Sequence, residues 1–215
     1  MKLYIGNQNY STWSLRAWVI FEQNKLPFEV VKLKLFTPEF YQTLESVNPT
    51  KKVPTLVDDD IAIWDSLAIL EYINDEYLSG SAWPSNKKDK ALARALSSEM
   101  HSGFMALRNE MPMNCRAKRF VELSDQAKND IARIDQIWSQ QQEAYPEQWL
   151  FGEWSIADAM FAPVALRFET YGIELSKRAK AYQNKVLQSN AIRMWLKQSA
   201  METDIVEEDE AGVER

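Results

Sequence analysis

The sequence predicts a small α/β layer followed by an all-helical bundle, and three observations carry that expectation. Over residues 1–80, apolar residues alternate between short strand-like runs and helical spacing. After Lys87 the strand patterning stops and only the three-or-four spacing of helices remains. Between the two lies Leu78–Asn86, where Ser79, Gly80, Ser81, Pro84 and Ser85 have the composition of a connection. The expected organisation is therefore a first domain over residues 1–80, a linker over 81–87, a helical domain over 88–201 and an acidic tail over 202–215.

The elements follow in order. Lys2–Ile5 is a short apolar strand, and Trp13–Asn24 carries Leu15, Trp18 and Val19 at helical spacing. Lys25-Leu26-Pro27 breaks that helix, and Phe28–Leu33 reads as a second strand. Thr37-Pro38-Glu39 has the form of an N-cap followed by proline at the first helical position. That helix is expected to stop near Val47, because Asn48-Pro49 is a breaker. Thr55–Val57 and Ile61–Trp64 flank Asp58-Asp59-Asp60 as a hairpin, and a helix starts at Asp65-Ser66 and runs to Tyr77. Strand–helix–strand, helix, strand–strand–helix is the order of an α/β layer on a small mixed sheet.

In the second part, Leu92, Leu96, Met100, Phe104, Leu107 and Met111 line one face of a single long helix ending near Pro112. Ile131, Ile134, Ile137 and Trp138 mark another. Ser155-Ile156-Ala157-Asp158 has the spacing of a capping box, with serine and aspartate each serving the other's backbone amide. Helices over Leu175–Val186 and Ala191–Ser199 complete the bundle.

Composition narrows the function classes. The 215 residues are 46% hydrophobic with eight tryptophans, which suits a globular core and excludes disorder. No apolar run approaches the ~18 residues of a membrane span, and the amino-terminal stretch turns polar too early for a secretory signal. One cysteine, Cys115, and one histidine, His101, cannot make an internal disulfide or a metal site by themselves. The expectation is a cytoplasmic, metal-free protein. Residues 1–80 hold 7 basic against 11 acidic side chains, residues 81–201 hold 17 against 13, and residues 202–215 hold 1 against 7. The last segment thus accounts for the whole net charge of −6, and reads as a solvated terminus. No basic stripe interleaved with aromatics appears, so nucleic acid is not an expected partner.

Three local patterns carry chemistry. Val53-Pro54-Thr55 enters a strand; a trans bond makes this a plain strand start, and a cis bond lets Val53 present its own N–H and C=O to a ligand. Asp65-Ser66 opens a helix whose free N–H groups and positive dipole end suit a carboxylate, while the aspartate suits an ammonium; simple capping is the alternative. The loop Asn7–Thr12 crowds Asn7, Asn9, Tyr10, Ser11, Thr12 and, just beyond it, Ser14 around another helix N-terminus, which stabilises an anion without a cationic residue.

Taken in order, the polar serine loop before the first helix, Asn48–Leu56 (NPTKKVPTL), Trp64–Ile73 (WDSLAILEYI) and Phe151–Pro163 (FGEWSIADAMFAP) resemble the cytosolic glutathione transferases over roughly residues 1 to 200. NYSTWSLRAW together with NPTKKVPTL is similar to a bacterial, serine-type branch near the zeta-like members. The resemblance implies a thioredoxin-like N-terminal domain, an all-helical second domain, and a homodimer of the detoxifying kind. It also implies a job for each pattern. Val53 pairs through its backbone with the cysteinyl part of glutathione, and Asp65 and Ser66 hold the γ-glutamyl ammonium and carboxylate. Lys52 attracts the glycyl carboxylate, with Lys51 as its substitute. Zeta-like members carry a Ser-Ser-Cys run whose first serine lies five positions before an arginine resembling Arg16. Ser11 stands at that first position and is the expected donor to the thiol, with Asn9, Tyr10 and Ser14 as alternatives. Ser155 and Asp158 resemble the family's capping box.

A free thiol ionises near ~8.5, and lowering that by about two units needs only ~2.7 kcal/mol of preference for the anion. A hydroxyl donor with helix-start amides supplies it. The electrophile is expected between the loop and the long helix, against Met100, Phe104 and Arg108, with Leu107 and Met111 nearby. His101, one position from Met100, is given no catalytic role, and Cys115 reads as an inert, partly buried thiol. The activity implied is addition of the glutathione thiolate to a small electrophile. The alternatives are a glutathione-dependent cis–trans isomerase of the maleylacetoacetate type and a non-catalytic binding protein on the same fold.

Overall fold

The computed structural model describes residues 1–215 and contains a four-stranded mixed sheet with helices, followed by a helical bundle. The strands are β1 (Lys2–Ile5), β2 (Glu29–Lys32), β3 (Thr55–Asp58) and β4 (Ile61–Trp64), in the order β2-β1-β3-β4. β1 runs parallel to β2, with Leu3 opposite Val30, and antiparallel to β3, with Leu3 opposite Leu56. Leu3, Ile5 and Leu56 are fully buried on the sheet face that receives α1 (Thr12–Asn24) and α3 (Ser66–Glu76). α2 (Pro38–Glu45) starts as its sequence predicts, with Thr37 Oγ1 accepting from the Phe40 amide at 3.2 Å.

The bundle consists of α4 (Lys87–Ser102), α5 (Met105–Glu110), α6 (Asp125–Ala144), α7 (Ile156–Tyr171), α8 (Lys177–Gln188) and α9 (Asn190–Ser199). α7 is its centre: nearly every residue of it is buried, and it packs against α1, α4 and α8. Asp158 anchors its first turn. The carboxylate accepts from the Ser155 amide (2.8 Å), the Ser155 hydroxyl (3.0 Å), the Leu150 amide (3.1 Å) and the Tyr182 hydroxyl (2.9 Å). α1 faces both halves, touching α3 on one side and α7 and α9 on the other. Trp18 of α1 meets Trp195 of α9 edge-on at 5.2 Å, so one continuous core crosses the junction. An aromatic pair of this kind adds about 1 kcal/mol beyond the area it buries.

Two expectations need correction. The single long helix over Leu92–Met111 is two helices, because α4 stops at Ser102 and Phe104 takes a left-handed conformation (φ 60°). The apolar spacing continues through the break, since Met100, Phe104, Leu107 and Met111 all reach the core. The carbonyls freed there are capped by Arg108, which donates to Met100 O and, at 2.9 Å, to Gly103 O. The acidic segment, in turn, is not a solvated terminus. It folds back over the Asn7–Thr12 loop through a 3-10 turn at Glu207–Asp209 and ends in β6 (Val213–Glu214), which pairs antiparallel with β5 (Arg119–Phe120). Its charges are met by Lys32, Lys34 and Arg119, Arg116 donates to its backbone carbonyls, and Val206 is its one buried apolar anchor. No helix is long and apolar enough to cross a membrane.

Candidate functional site

A cleft of about 550 Å³ lies between the sheet layer and the bundle. Its walls come from the loop before α1 (Tyr10–Trp13), the segment before β3 (Thr50–Val53), the end of α4 (His101) and α5 (Met105, Arg108, Asn109). Arg167 of α7 and Asp209 of the acidic segment close one end.

At the sheet end several polar groups have no partner, and Asp65 and Ser66 lie outside the lining residues themselves. The Val53-Pro54 bond is cis. Neither the amide nor the carbonyl of Val53 is hydrogen-bonded within the chain. The turn that carries it is fixed by Asn48, whose Nδ2 donates to Thr55 Oγ1 (2.6 Å) and to Lys52 O (3.2 Å). The two adjacent lysines separate. Lys51 is tied to Glu45 at 2.6 Å, whereas Lys52 lines the cleft without an acidic partner. Ser66, the first residue of α3, is buried at 1% exposure and its hydroxyl has no partner. Asp65 caps α3, with Oδ1 accepting from the amides of Leu67 (2.9 Å) and Ala68 (3.3 Å). Its other oxygen, Oδ2, lies 3.0 Å from His101 Nε2. His101 therefore bridges to the sheet layer and packs edge-on against Trp13 at 5.5 Å, a placement its sequence position does not reveal.

At the loop end most groups are already engaged. Asn9 is fully buried, its Nδ2 donating to Asn114 Oδ1 (2.9 Å) and its Oδ1 accepting from the Arg116 amide (2.9 Å). The Tyr10 hydroxyl donates to Glu210 at 2.5 Å, and burial together with that carboxylate pushes its ionisation up. Ser14 is fully buried and receives the Gly6 amide (3.1 Å) and the Ser11 hydroxyl (2.7 Å). Of the four candidate donors, Ser11 and Tyr10 reach the cleft, and only Ser11 does so without a carboxylate on its proton. Thr12, whose hydroxyl has no partner in the chain, lies beside it.

The bundle wall is cationic, carrying Arg108 and Arg167, and Arg16 of α1 is buried nearby. Arg16 and Arg108 stack over the Trp13 ring at 4.5 and 4.9 Å. Arg16, Arg108 and Arg167 make no ion pair; burial holds all three below the ordinary guanidinium range, and mutual repulsion deepens the effect in Arg16 and Arg167. Asp209 is the acidic side chain of this wall, pushed up to about 6 by burial against the pull of Arg167. Met100, on the buried face of α4, and Phe104, in the break after it, are core residues at 1% and 8% exposure rather than the expected wall, and Met105 and Arg108 of α5 line the cleft. Cys115 lies outside the cleft, and burial raises its thiol to about 12, which leaves it protonated at neutral pH. No cluster of three or more His, Cys, Asp or Glu side chains is placed to hold a metal.

Residues 10–76 match the family model of the glutathione S-transferase N-terminal domain. A stringent starvation protein A homolog from Haemophilus ducreyi is 20% identical over 183 residues, covering 83% of this chain and 82% of that protein. A probable maleylacetoacetate isomerase from Caenorhabditis elegans is 33% identical over 104 residues, covering 46% of this chain and about half (49%) of its own length. Among solved structures, a glutathione transferase homolog from Burkholderia with bound glutathione superposes with a TM-score of 0.72 at 24% identity, over 93% of this chain and 97% of that one. Residues 10–76 are thus a glutathione S-transferase N-terminal domain by their family match, and the chain as a whole shares the fold of the glutathione transferase structures.

Proposed function

We propose that the cleft binds glutathione, holds its sulfur as the thiolate and adds it to a small electrophile. The observation that carries this reading is the sheet end of the cleft: the unpaired Val53 backbone and Lys52 line the cavity, and His101, also on its wall, holds Asp65, the neighbour of Ser66 with its orphan hydroxyl. A buried hydroxyl or an edge amide without a partner is costly to leave unmade, and a peptide-like ligand with two carboxylates satisfies such groups. In this reading Val53 pairs with the cysteinyl unit and Lys52 attracts the glycyl carboxylate. Ser66, through its hydroxyl and its own amide, takes the γ-glutamyl carboxylate at the positive end of α3, and Asp65 shares its Oδ2 between His101 and the ammonium.

Ser11 is the thiol's donor. Its proton points at Ser14 Oγ. Turned toward a bound sulfur, it leaves Ser14 free to donate back to Ser11 Oγ, so the thiolate gains a donor and the pair keeps its hydrogen bond. Acceleration comes from proximity and an activated nucleophile, with no covalent intermediate on the protein. The electrophile lies at the other end, against Trp13, Met105 and Arg108, where the uncompensated guanidinium stabilises negative charge developing on the acceptor.

Ultraviolet thiolate absorbance of glutathione with the protein, titrated against pH, tests the reading. The expected result is saturable binding with the ionisation shifted about two units below the free thiol's ~8.5. Binding without a shift makes the chain a binding protein, and absence of binding overturns the proposal. A second reading, glutathione-dependent cis–trans isomerisation, is favoured by the 33% identity to the probable isomerase over about half of that protein. Glutathione is consumed in the first reaction and regenerated in the second, which separates them.

A further inference from the structure

We propose that Glu202 is a positioning residue for the thiol-activating loop, and that the strap Glu202–Arg215 is a working part of the site. The inference rests on the function proposed above and concerns how Ser11 is held.

The chain between β1 and α1 satisfies only part of itself. Tyr10 and Ser11 donate their amides to Asn7 O at 3.2 and 2.8 Å, and Gly6 donates to Ser14 Oγ at 3.1 Å. The amides of Gln8 and Asn9 have no backbone acceptor. Both go to one carboxylate: Gln8 N donates to Glu202 Oε1 at 2.9 Å and Asn9 N to Glu202 Oε2 at 3.0 Å. That side chain is 6% exposed, with Lys32 Nζ at 3.0 Å as its counter-charge. Charge-assisted bonds from two consecutive amides to one carboxylate fix the peptide plane between them.

The strap repeats the grip on either side. Asn7 Nδ2 donates to Asp204 at 3.3 Å, and Lys34 pairs with the same carboxylate at 2.7 Å. Tyr10 donates to Glu210, which also receives Asn114 Nδ2 at 2.8 Å and Arg119. Arg116 ties the strap's backbone down, donating to Glu202 O, to Asp204 O at 2.8 Å and to the Tyr10 hydroxyl at 3.2 Å. Asn7, Gln8, Asn9 and Tyr10 are thus each held by the strap, and the next residue is Ser11. A donor that must meet a sulfur in one geometry works only when its own backbone is fixed. None of Lys52, Val53, Asp65 and Ser66 is hydrogen-bonded or ion-paired to the strap, so anchoring of the ligand and activation of its thiol rest on different parts of the chain.

The test is Glu202→Ala, read by glutathione affinity and by the ionisation of the bound thiol. Affinity is expected to change by less than about threefold. The bound-thiol ionisation returns toward that of free glutathione, and kcat falls by about tenfold to a hundredfold. Glu202→Gln, which keeps one acceptor, recovers part of the shift. Unchanged thiol ionisation in Glu202→Ala overturns the inference, as does an equal proportional loss of affinity and kcat, the mark of a general structural role. If that variant does not fold, amide hydrogen exchange on the wild-type protein decides: protected Gln8 and Asn9 amides support the strap, and rapid exchange overturns it. A wild-type protein that leaves the thiol unshifted refutes the proposed function, and the exchange measurement still tests the strap.

Discussion

Asp158 and Asp65 each stand at the start of a helix, and they differ in what they have left to offer. Asp158 is buried and receives four hydrogen bonds from within the chain. Asp65 caps α3 with one oxygen and faces His101 with the other, and its side chain is 45% exposed. The same contrast separates the two ends of the cleft. Groups the chain has satisfied hold the fold, and groups it leaves unsatisfied are where a ligand gains binding energy.

The largest effect expected from that contrast is on Asp158. Asp158→Ala orphans four buried donors and should cost about 3–5 kcal/mol of stability in denaturant unfolding, with the folded fraction binding glutathione normally. Desolvation raises this carboxyl to about 6 despite its hydrogen bonds, above its ordinary 3.8. A carboxyl raised on folding contributes stability fully below its unfolded value and loses that contribution as pH rises through the folded one. The margin of wild type over Asp158→Asn is therefore largest near pH 4 and shrinks toward pH 6 and above. A margin that grows with pH contradicts the assignment.

Next in size is Ser11→Ala, which should raise the ionisation of bound glutathione by up to about two units, or ~2.7 kcal/mol, while leaving affinity nearly intact. Asp65→Ala reverses the pattern. Affinity for glutathione falls by about 1–3 kcal/mol in calorimetry, while loss of the helix cap costs only about 1 kcal/mol of stability. Unchanged affinity removes Asp65 from the head-group site. The smallest effect is expected for Tyr10→Phe, whose hydroxyl is occupied by Glu210: about 1 kcal/mol of stability and a change in thiol ionisation well below that of Ser11→Ala, since the other strap contacts remain.

Much of this was legible in the sequence, and what was not has a common cause. Strands and helices of the first domain are set by local periodicity, by Pro38 after Thr37 and by Asn48-Pro49, so their order and approximate limits could be read. The break at Gly103 is hidden in the sequence because the apolar spacing runs through it, and Gly103 is its only trace there. The crowded loop could be identified as a place of interest, but not sorted. The partners that occupy Asn9 and Tyr10, namely Asn114 and Glu210, are 105 and 200 residues away in sequence. The acidic segment misled for the same reason. Its composition resembles a solvated tail, and its order depends on Lys32, Lys34, Arg116 and Arg119, which no local window contains.

The most direct test is a crystal structure of the protein with glutathione. The γ-glutamyl carboxylate is expected on Ser66, the cysteinyl unit paired with the Val53 backbone, and the sulfur within hydrogen-bond reach of Ser11, with Tyr10 still on Glu210. Glutathione lying away from these unpaired groups, or a sulfur met by a Tyr10 released from the strap, would contradict the proposed function.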